Sequence, residues 1–469
     1  MRIYTTAPGL RIISKIPQQL NAPQDKFSCI NTNARWIYDK SNVYKQIDNW
    51  EQNIPWIKPF YAVKSNPSHH LIEDILSHPF KVGLDVASLA EIDLALKNTT
   101  PCNTIYTNPH TINHELEKYK TKLINIKVVD SVGELKKMLH MKHLPQILIR
   151  INGGNTRGDT NFDTKFGATK EETDQLLEFA KQNDIPIRGI SFHIGSGGTY
   201  NRKDAYMNAY ENAIPYLEYI ASQSHAQTHH QSHAQTHHQS HAHQNSRPIL
   251  NFGGGLLHNT NLKEVLGWTK TLPYQMIAEP GRYIAEPSHH LFSQVIAVTR
   301  RGVYLDNGIY HELNCYQRDH WKFPDITHYI SQCPAATTST ITTMSNTATT
   351  ILTTTTKTIP RPTIVKSKRT TRVFGPTCDS GDVIHECSLP VDIQTGDWFL
   401  LPNMGAYTNA GMIEFNGIEG ASSYAPIHLA PTCTDPDPFP YSHTRTRPPV
   451  QATINRQTTP DPDTNQLTI

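Results

Sequence analysis

The sequence predicts an α/β protein: a (β/α)8 TIM-like barrel plus a C-terminal antiparallel β domain. Two observations carry this. From 59 to 282, short β-rich runs alternate with helical patterns about eight times, which means βα units on a parallel sheet. That count, over roughly 230 residues, suits closure into a barrel better than an open doubly wound sheet. After 285 the pattern changes to alternating apolar and polar residues, with no helix of comparable length.

The elements follow in order. Residues 59–63 (PFYAV) read as a buried strand, and 68–78 carry Leu71, Ile72, Ile75 and Leu76 on one helical stripe. Residues 81–88 read as a strand and loop. The helix at 88–97 opens with Ser88 and has Glu91 three residues on, the pattern of a capping box. The cycle repeats as strand 103–108 and a helix around 111–120, then strand 125–130 and helix 131–140, again with a capping box. Strand 146–152 precedes helix 170–184, and strand 187–195 precedes a long helix from about 202 to 222. Strands at 249–255 and 276–282 complete the set. Beyond them, 292–310, 371–378 and 397–403 read as strands of the second domain. The resulting division is an N-terminal arm (1–30) that contributes a strand to the β domain, a barrel (31–285) and the β domain itself (286–430).

Three polar tracts interrupt or end this plan. Residues 223–230 and 231–238 are both QSHAQTHH, within a His-rich insert at 223–246 expected to be a disordered surface loop. Residues 336–358 are mostly Thr and lie between two β segments, where a loop can lengthen at modest entropic cost. The tail, 431–469, is rich in Pro, Thr and Asp and is expected to be disordered. Eight of the 25 histidines fall between 225 and 243, but a polar expansion accounts for them and no metal is expected.

Composition excludes several classes. Lys+Arg is 43 against Asp+Glu 41, and no long basic run occurs, so no nucleic-acid or anionic-membrane partner is expected. No run of about 18 apolar residues exists to form a membrane span. The opening MRIYTTAPGLRIISK has no apolar signal core. The seven cysteines are scattered without C-x-x-C spacing, which predicts free thiols in a reducing compartment, the cytoplasm by default.

Four strand ends carry candidate chemistry. Lys64 ends PFYAVK, where a barrel strand delivers its residues to the mouth, although position alone favours a solvated lysine. Ser191-Phe192-His193-Ile194-Gly195-Ser196 offers a histidine and anion-binding N–H and hydroxyl groups, or simply a polar turn. Gly253-Gly254-Gly255 lets backbone approach a phosphate, or is a flexible loop. Glu279-Pro280-Gly281-Arg282 supplies a carboxylate and an arginine able to fork onto phosphate oxygens. Together, one lysine, one histidine, one carboxylate and three phosphate-competent loops at strand ends of one polarity suit a phosphorylated ring cofactor held by lysine.

The combination of PFYAVKSN, GLDVASLAEI, IYTNPH, LIRI, KFGA, SFHIGSG, NFGGG, AEPGRY, RDH, FGPTCDSGD and NMGAYTNAGMIEFNG, in this order, resembles the eukaryotic-type ornithine decarboxylases. These are pyridoxal 5'-phosphate enzymes on an alanine-racemase-like barrel. The resemblance implies that Lys64 forms the imine with the cofactor and that Glu279 keeps the pyridine nitrogen protonated. It further implies that His193 stacks on the ring, and that Ser196, the glycines 253–255, Gly281, Arg282 and Tyr407 hold the phosphate. Asp85 and Arg150 would support the ring, with Glu91 behind them.

From the second domain, the resemblance implies that Cys378 and Asp379 enter the active site of the other subunit of a homodimer. Asp319 and Phe415 would line the substrate pocket with Asp379, and Lys165 and Asp382 would pair across the subunits. The implied reaction is decarboxylation of L-ornithine to putrescine, with Cys378 returning a proton to Cα. Arg318 stands before Asp319 where the family usually carries Tyr, which leaves lysine or arginine as alternative substrates. The other alternative is an inactive regulator resembling the antizyme inhibitors, and an antizyme-like partner is possible for either.

Overall fold

A computed structural model describes residues 2–5, 34–112, 124–139, 141, 144–154, 162–196, 201–230, 247–318, 323, 328–331 and 363–425. The expected helix near 111–120 falls largely outside these residues, as do the Thr-rich tract, the tail and Asp319.

The first two strands, β1 (Arg2–Thr5) and β2 (Arg35–Tyr38), belong to the second sheet. The barrel follows as β3 (Ile57–Ala62), β4 (Gly83–Val86), β5 (Thr104–Tyr106), β6 (Ile126–Val129), β7 (Gln146–Arg150), β8 (Ile187–Ser191), β9 (Ile249–Asn251) and β10 (Gln275–Ala278). Each strand is parallel to the next, and β10 closes on β3. The two-residue period of a strand sends alternate side chains inward and outward. Phe60, Ile105, Ile126, Val128, Leu148, Ile249 and Ile277 fill the interior. Tyr61, Leu84, Tyr106, Ile147, Ile149, Ile190 and Leu250 face the helices in a second cluster.

The helices start where their sequences can satisfy free N–H groups. Thr169 and Glu172 form a reciprocal capping box at Lys170–Gln182. That box was not among those expected; at the two that were, only the serine half forms. Ser88 accepts from Glu91 N, but the Glu91 carboxylate takes the Ala87 N–H instead. Ser131 accepts from Glu134 N, while Glu134 turns into a buried ion pair.

Three expectations on domain layout need correction. The boundary at 31 is too early, because β2 at 35–38 pairs with β11 (His289–Thr299) and so belongs to the second sheet. The insert at 223–246 is not wholly a loop, since the helix Arg202–His230 runs through the first QSHAQTHH copy. Ala and Gln there favour helix, and propagating a formed helix is far easier than starting one. The second sheet is mixed, not purely antiparallel. Its further strands are β12 (Gly302–Leu305), β13 (His328–Ser331), β14 (Thr363–Ile364), β15 (Lys368–Phe374), β16 (Val383–Pro390), β17 (Trp398–Leu401) and β18 (Ser422–Ala425). The order is β14-β13-β1-β17-β11-β12-β15-β16, with β2 joining β11 to β18. The β1–β17, β12–β15 and β18–β2 pairs are parallel. Strands far apart in the chain become neighbours, and so their directions are not fixed by hairpins. Leu291, Val303, Phe399 and Leu401 lie in its core.

The barrel and the sheet meet at the start of β11. There Met404 N–H donates to His289 O at 2.8 Å, and Asn403 N–H to His290 Nδ1 at 3.2 Å. Burial holds both imidazoles below their ordinary range, and His290 falls from 6.5 to about 4. The unfolded chain takes up these protons near pH 6.5 while the folded chain does not, so stability is lost as pH falls below that value. His290→Asn keeps an acceptor for Asn403. Without the titrating ring, its stability should fall less steeply than the parent's between pH 6 and 5, by ~1 kcal/mol over that unit. Urea unfolding at the two pH values measures this, and equal slopes would show that His290 does not act this way.

Candidate active site

The alternation that fills the barrel also builds its mouth. On β3 the inward face passes from Phe60 through Ala62 to Lys64, and on β7 from Leu148 to Arg150. The same face on β9 reaches Asn251 and on β10 reaches Glu279, while β8 delivers Ser191 and then His193. Lys64, Arg150, His193 and Glu279 line one cavity of about 480 Å³. Its rim carries Ser196, Gly254, Gly255, Gly281, Arg282 and Tyr407. A larger groove of about 830 Å³ lies outside the barrel, between Lys170–Gln182 and Arg202–His230, and contains none of these residues.

Lys64 Nζ sits 3.5 Å from Asp85 Oδ2, and Asp85 is buried. Burial would lower the lysine, but Asp85 and Glu279 outweigh it and lift Lys64 above its ordinary range. Burial, helped by Glu279, pushes Asp85 up to about 8 against the pull of Lys64 and of the Thr107 hydroxyl, which donates to Oδ1 at 2.5 Å. His193 is held well below its ordinary range, first by burial and then by the Arg150 and Lys64 cations. Gly195 N–H donates to His193 Nδ1 at 3.0 Å, so the neutral ring carries its proton on Nε2.

Asn251 organises the carboxylate side of the cavity. Its amide donates to Glu279 Oε1 at 2.7 Å, and its oxygen accepts from Gly253 N at 2.9 Å. Glu279 N–H in turn donates to Gly253 O at 2.7 Å. From behind, Tyr206 donates to Gly254 O at 2.7 Å and Arg202 Nε to Gly255 O at 3.0 Å. The sequence reading overlooked Asn251, Thr107 and Tyr206. Strand register could have found Asn251, a polar residue two before Gly253 on the inward face.

Gly254 is a cradle that a side chain would fill. A Cβ there would lie 2.9 Å from His193 Nε2 and 3.1 Å from Glu279 O. Tyr407 has a left-handed backbone, φ 58°, fixed by its N–H to Ser65 O at 2.8 Å. The Arg282 guanidinium lies over its ring, 4.9 Å from the centroid.

Not every expected residue joins this cavity. Lys165, expected at a subunit contact, lines the cavity itself together with Phe166. Cys378 and Asp379, in the loop between β15 and β16, and Phe415, in a turn between β17 and β18, do not line it. Tyr310 gathers two of them: its hydroxyl donates to Asp379 Oδ2, and its ring stacks on Phe415 at 4.3 Å. The Tyr310 and Gly381 hydrogen bonds hold Asp379 below the usual carboxylate range. Cys378 is exposed, and its N–H donates to Asn416 Oδ1 at 3.1 Å. Asp382 is buried in its own chain, where it accepts from Ile309 N at 3.0 Å and from Thr377 N at 3.1 Å. Its observed role is thus to shape the loop that bears Cys378 and Asp379.

These residues fit a phosphorylated aromatic aldehyde. An amine, a carboxylate, a neutral imidazole and an arginine line one cavity, together with a side-chain-free cradle against the imidazole. The pyridoxal-dependent decarboxylase family, through its pyridoxal binding domain, matches residues 40–286. The chain is similar to the chloroplastic ornithine decarboxylase of Nicotiana glutinosa, 30% identical over 441 residues, covering 90% of this chain and 88% of the relative. It is also similar to antizyme inhibitor 2 of Xenopus laevis, 26% identical over 427 residues, covering 85% and 81%. Among solved structures, the arginine decarboxylase of Paramecium bursaria Chlorella virus bound to agmatine matches with a TM-score of 0.66 at 25% identity. That match covers 84% of this chain and 97% of the viral one.

The cradle makes a prediction. Gly254→Ala should raise the dissociation constant for pyridoxal phosphate at least about tenfold, because one close contact displaces His193 or the cofactor. Titration of the apoprotein, followed by visible absorbance, checks it; parental affinity would mean that phosphate or ring does not approach Gly254.

Proposed function

The chain belongs to the pyridoxal-dependent decarboxylases, and from that premise we propose that it converts L-ornithine to putrescine and CO2 in polyamine biosynthesis. The observation that carries this is the convergence of Lys64, Glu279, His193 and the Gly254–Arg282 rim on one cavity. Its cofactor is pyridoxal 5'-phosphate. When bound, the cofactor supplies a protonated ring that accepts the electron pair left at Cα as CO2 departs.

The chain's own residues divide the remaining work. Lys64 is the amine that would hold the cofactor covalently. Glu279, oriented by Asn251, would hold a proton at the ring nitrogen. A neutral His193 can lie against a ring face without placing a second charge there. Ser196, the glycines 253–255, Gly281, Arg282 and Tyr407 would grip the phosphate, and Arg150 and Asp85 would support the ring.

Cys378, Asp379 and Phe415 lie away from this cavity, which supports a homodimer whose sites are completed by the partner subunit. In that assembly Cys378 would return the proton to Cα. Asp379, kept ionised by Tyr310, and Asp319 would bind the distal ammonium of the substrate. Lys165 and Asp382 remain candidates for the subunit contact. Scattered free thiols support the cytoplasm as the location.

The similarity to an antizyme inhibitor favours one second reading, a regulator without chemistry. The intact set of Lys64, His193, Glu279, Arg282, Cys378 and Asp379 speaks for the enzyme. An antizyme-like protein is a candidate partner in either case.

Competition assays of CO2 release should rank kcat/KM as ornithine, then lysine, then arginine. One methylene separates the first two and is worth only ~1–3 kcal/mol, so measurable lysine activity is expected. Arginine first would overturn the substrate assignment. Lys64→Ala should abolish both turnover and the visible absorbance band, and Glu279→Ala should cut kcat strongly while leaving the phosphate grip. Mixing Lys64→Ala with Cys378→Ala chains should restore about a quarter of parental activity if subunits exchange at random in a two-fold dimer. No recovery despite demonstrated exchange would refute shared sites.

A further inference from the structure

Lys127 occupies a position where a barrel strand normally buries an apolar side chain. It lies on β6 between Ile126 and Val128, which both face the barrel interior, so its own side chain faces the helix layer. There it is fully buried, with 0% side-chain exposure, against a Glu134 carboxylate at 1%. Its ammonium donates to Asn108 O at 2.7 Å, sits 3.3 Å from Glu134 Oε1 and lies over the Tyr106 ring at 4.4 Å. Glu134 Oε1 also accepts from Thr111 N at 3.1 Å, and Oε2 from Lys137 Nζ at 2.7 Å. Lys137 Nζ reaches Thr111 O at 2.6 Å as well.

All three charged groups therefore converge on one short segment, the loop after β5. Thr107, Asn108 and Pro109 of this loop line the cavity from the opposite side. Thr107 bonds Asp85, the partner of Lys64. A buried ion pair is a poor way to gain stability, because desolvation offsets much of the attraction, and apolar residues of similar volume often serve as well or better. What this cluster secures that a Leu or Met could not is the Asn108 carbonyl and the Thr111 N–H and carbonyl, which have no backbone partner among the described contacts.

We propose that Lys127, acting with Glu134 and Lys137, is a positioning residue that fixes 107–111 as one wall of the cofactor cavity and, through Thr107, holds Asp85 against Lys64. The proposal rests on the cavity being the pyridoxal phosphate site.

The test uses Lys127→Met in the full chain, which keeps length and apolar bulk and removes the ammonium. Losing a charge-assisted hydrogen bond behind the wall should raise the cofactor dissociation constant about tenfold, read by absorbance titration of the apoprotein. At saturating cofactor, kcat should fall by less than about threefold, a split that general loss of folded protein would not produce. Lys137→Met, at a side chain 29% exposed, should weaken cofactor binding in the same direction, by about threefold, and decides the matter if Lys127→Met does not fold. Parental cofactor affinity in the folded variants would overturn the proposal. A parent that itself fails to bind pyridoxal phosphate would instead bring down the functional reading, and this proposal with it.

Discussion

The rest of the structure depends on the two-residue period of strands in a closed barrel. Closure removes the choice of face: whatever points inward is surrounded by seven other strands. Apolar inward residues such as Leu148 and Ile277 therefore make a packed core, and the next inward positions, Arg150 and Glu279, have nowhere to go but the open end. A one-residue slip on β10 would exchange Glu279 for Ala278 and turn the carboxylate into the helix layer.

The price of this convergence is electrostatic. Lys64, Asp85, Arg150 and Glu279 crowd a space that water would otherwise screen. Their protonation becomes collective: Lys64 is lifted by two carboxylates while Asp85 is raised by burial and by Glu279. His193 stays neutral because it is buried, and the two cations near it add to that. The neutral amides of Asn251 and the hydroxyl of Thr107 orient the carboxylates without adding charge.

The barrel was legible because each strand-helix unit carries its own local signals, apolar runs and serine or threonine caps. The site was legible where its residues sit in sequence-specific motifs, as with Lys64 in PFYAVKSN and Glu279 in AEPGRY. Asn251 and Thr107 also sit in such motifs, NFGGG and IYTNPH, but their roles were not legible because they lie in what the side chains touch across strands. The mixed sheet was also not legible, since β1 joins β17 and β2 joins β18 from opposite ends of the chain. No local pattern records such a pairing. The helical stretch in the first QSHAQTHH copy has no apolar stripe to mark it; it is helical because a helix already begun is easily continued.

Tyr407 belongs to the second sheet's side of the molecule, yet its backbone is bonded to Ser65, next to Lys64, and Asn66 is bonded to Gly405 at 2.8 Å. The two halves are thus bonded together through the residues that follow Lys64 in the chain. Neither half can swing away as a hinged lid without breaking these bonds at the cavity wall. Melting of the β half should therefore disorder the Lys64 end of the cavity at the same temperature.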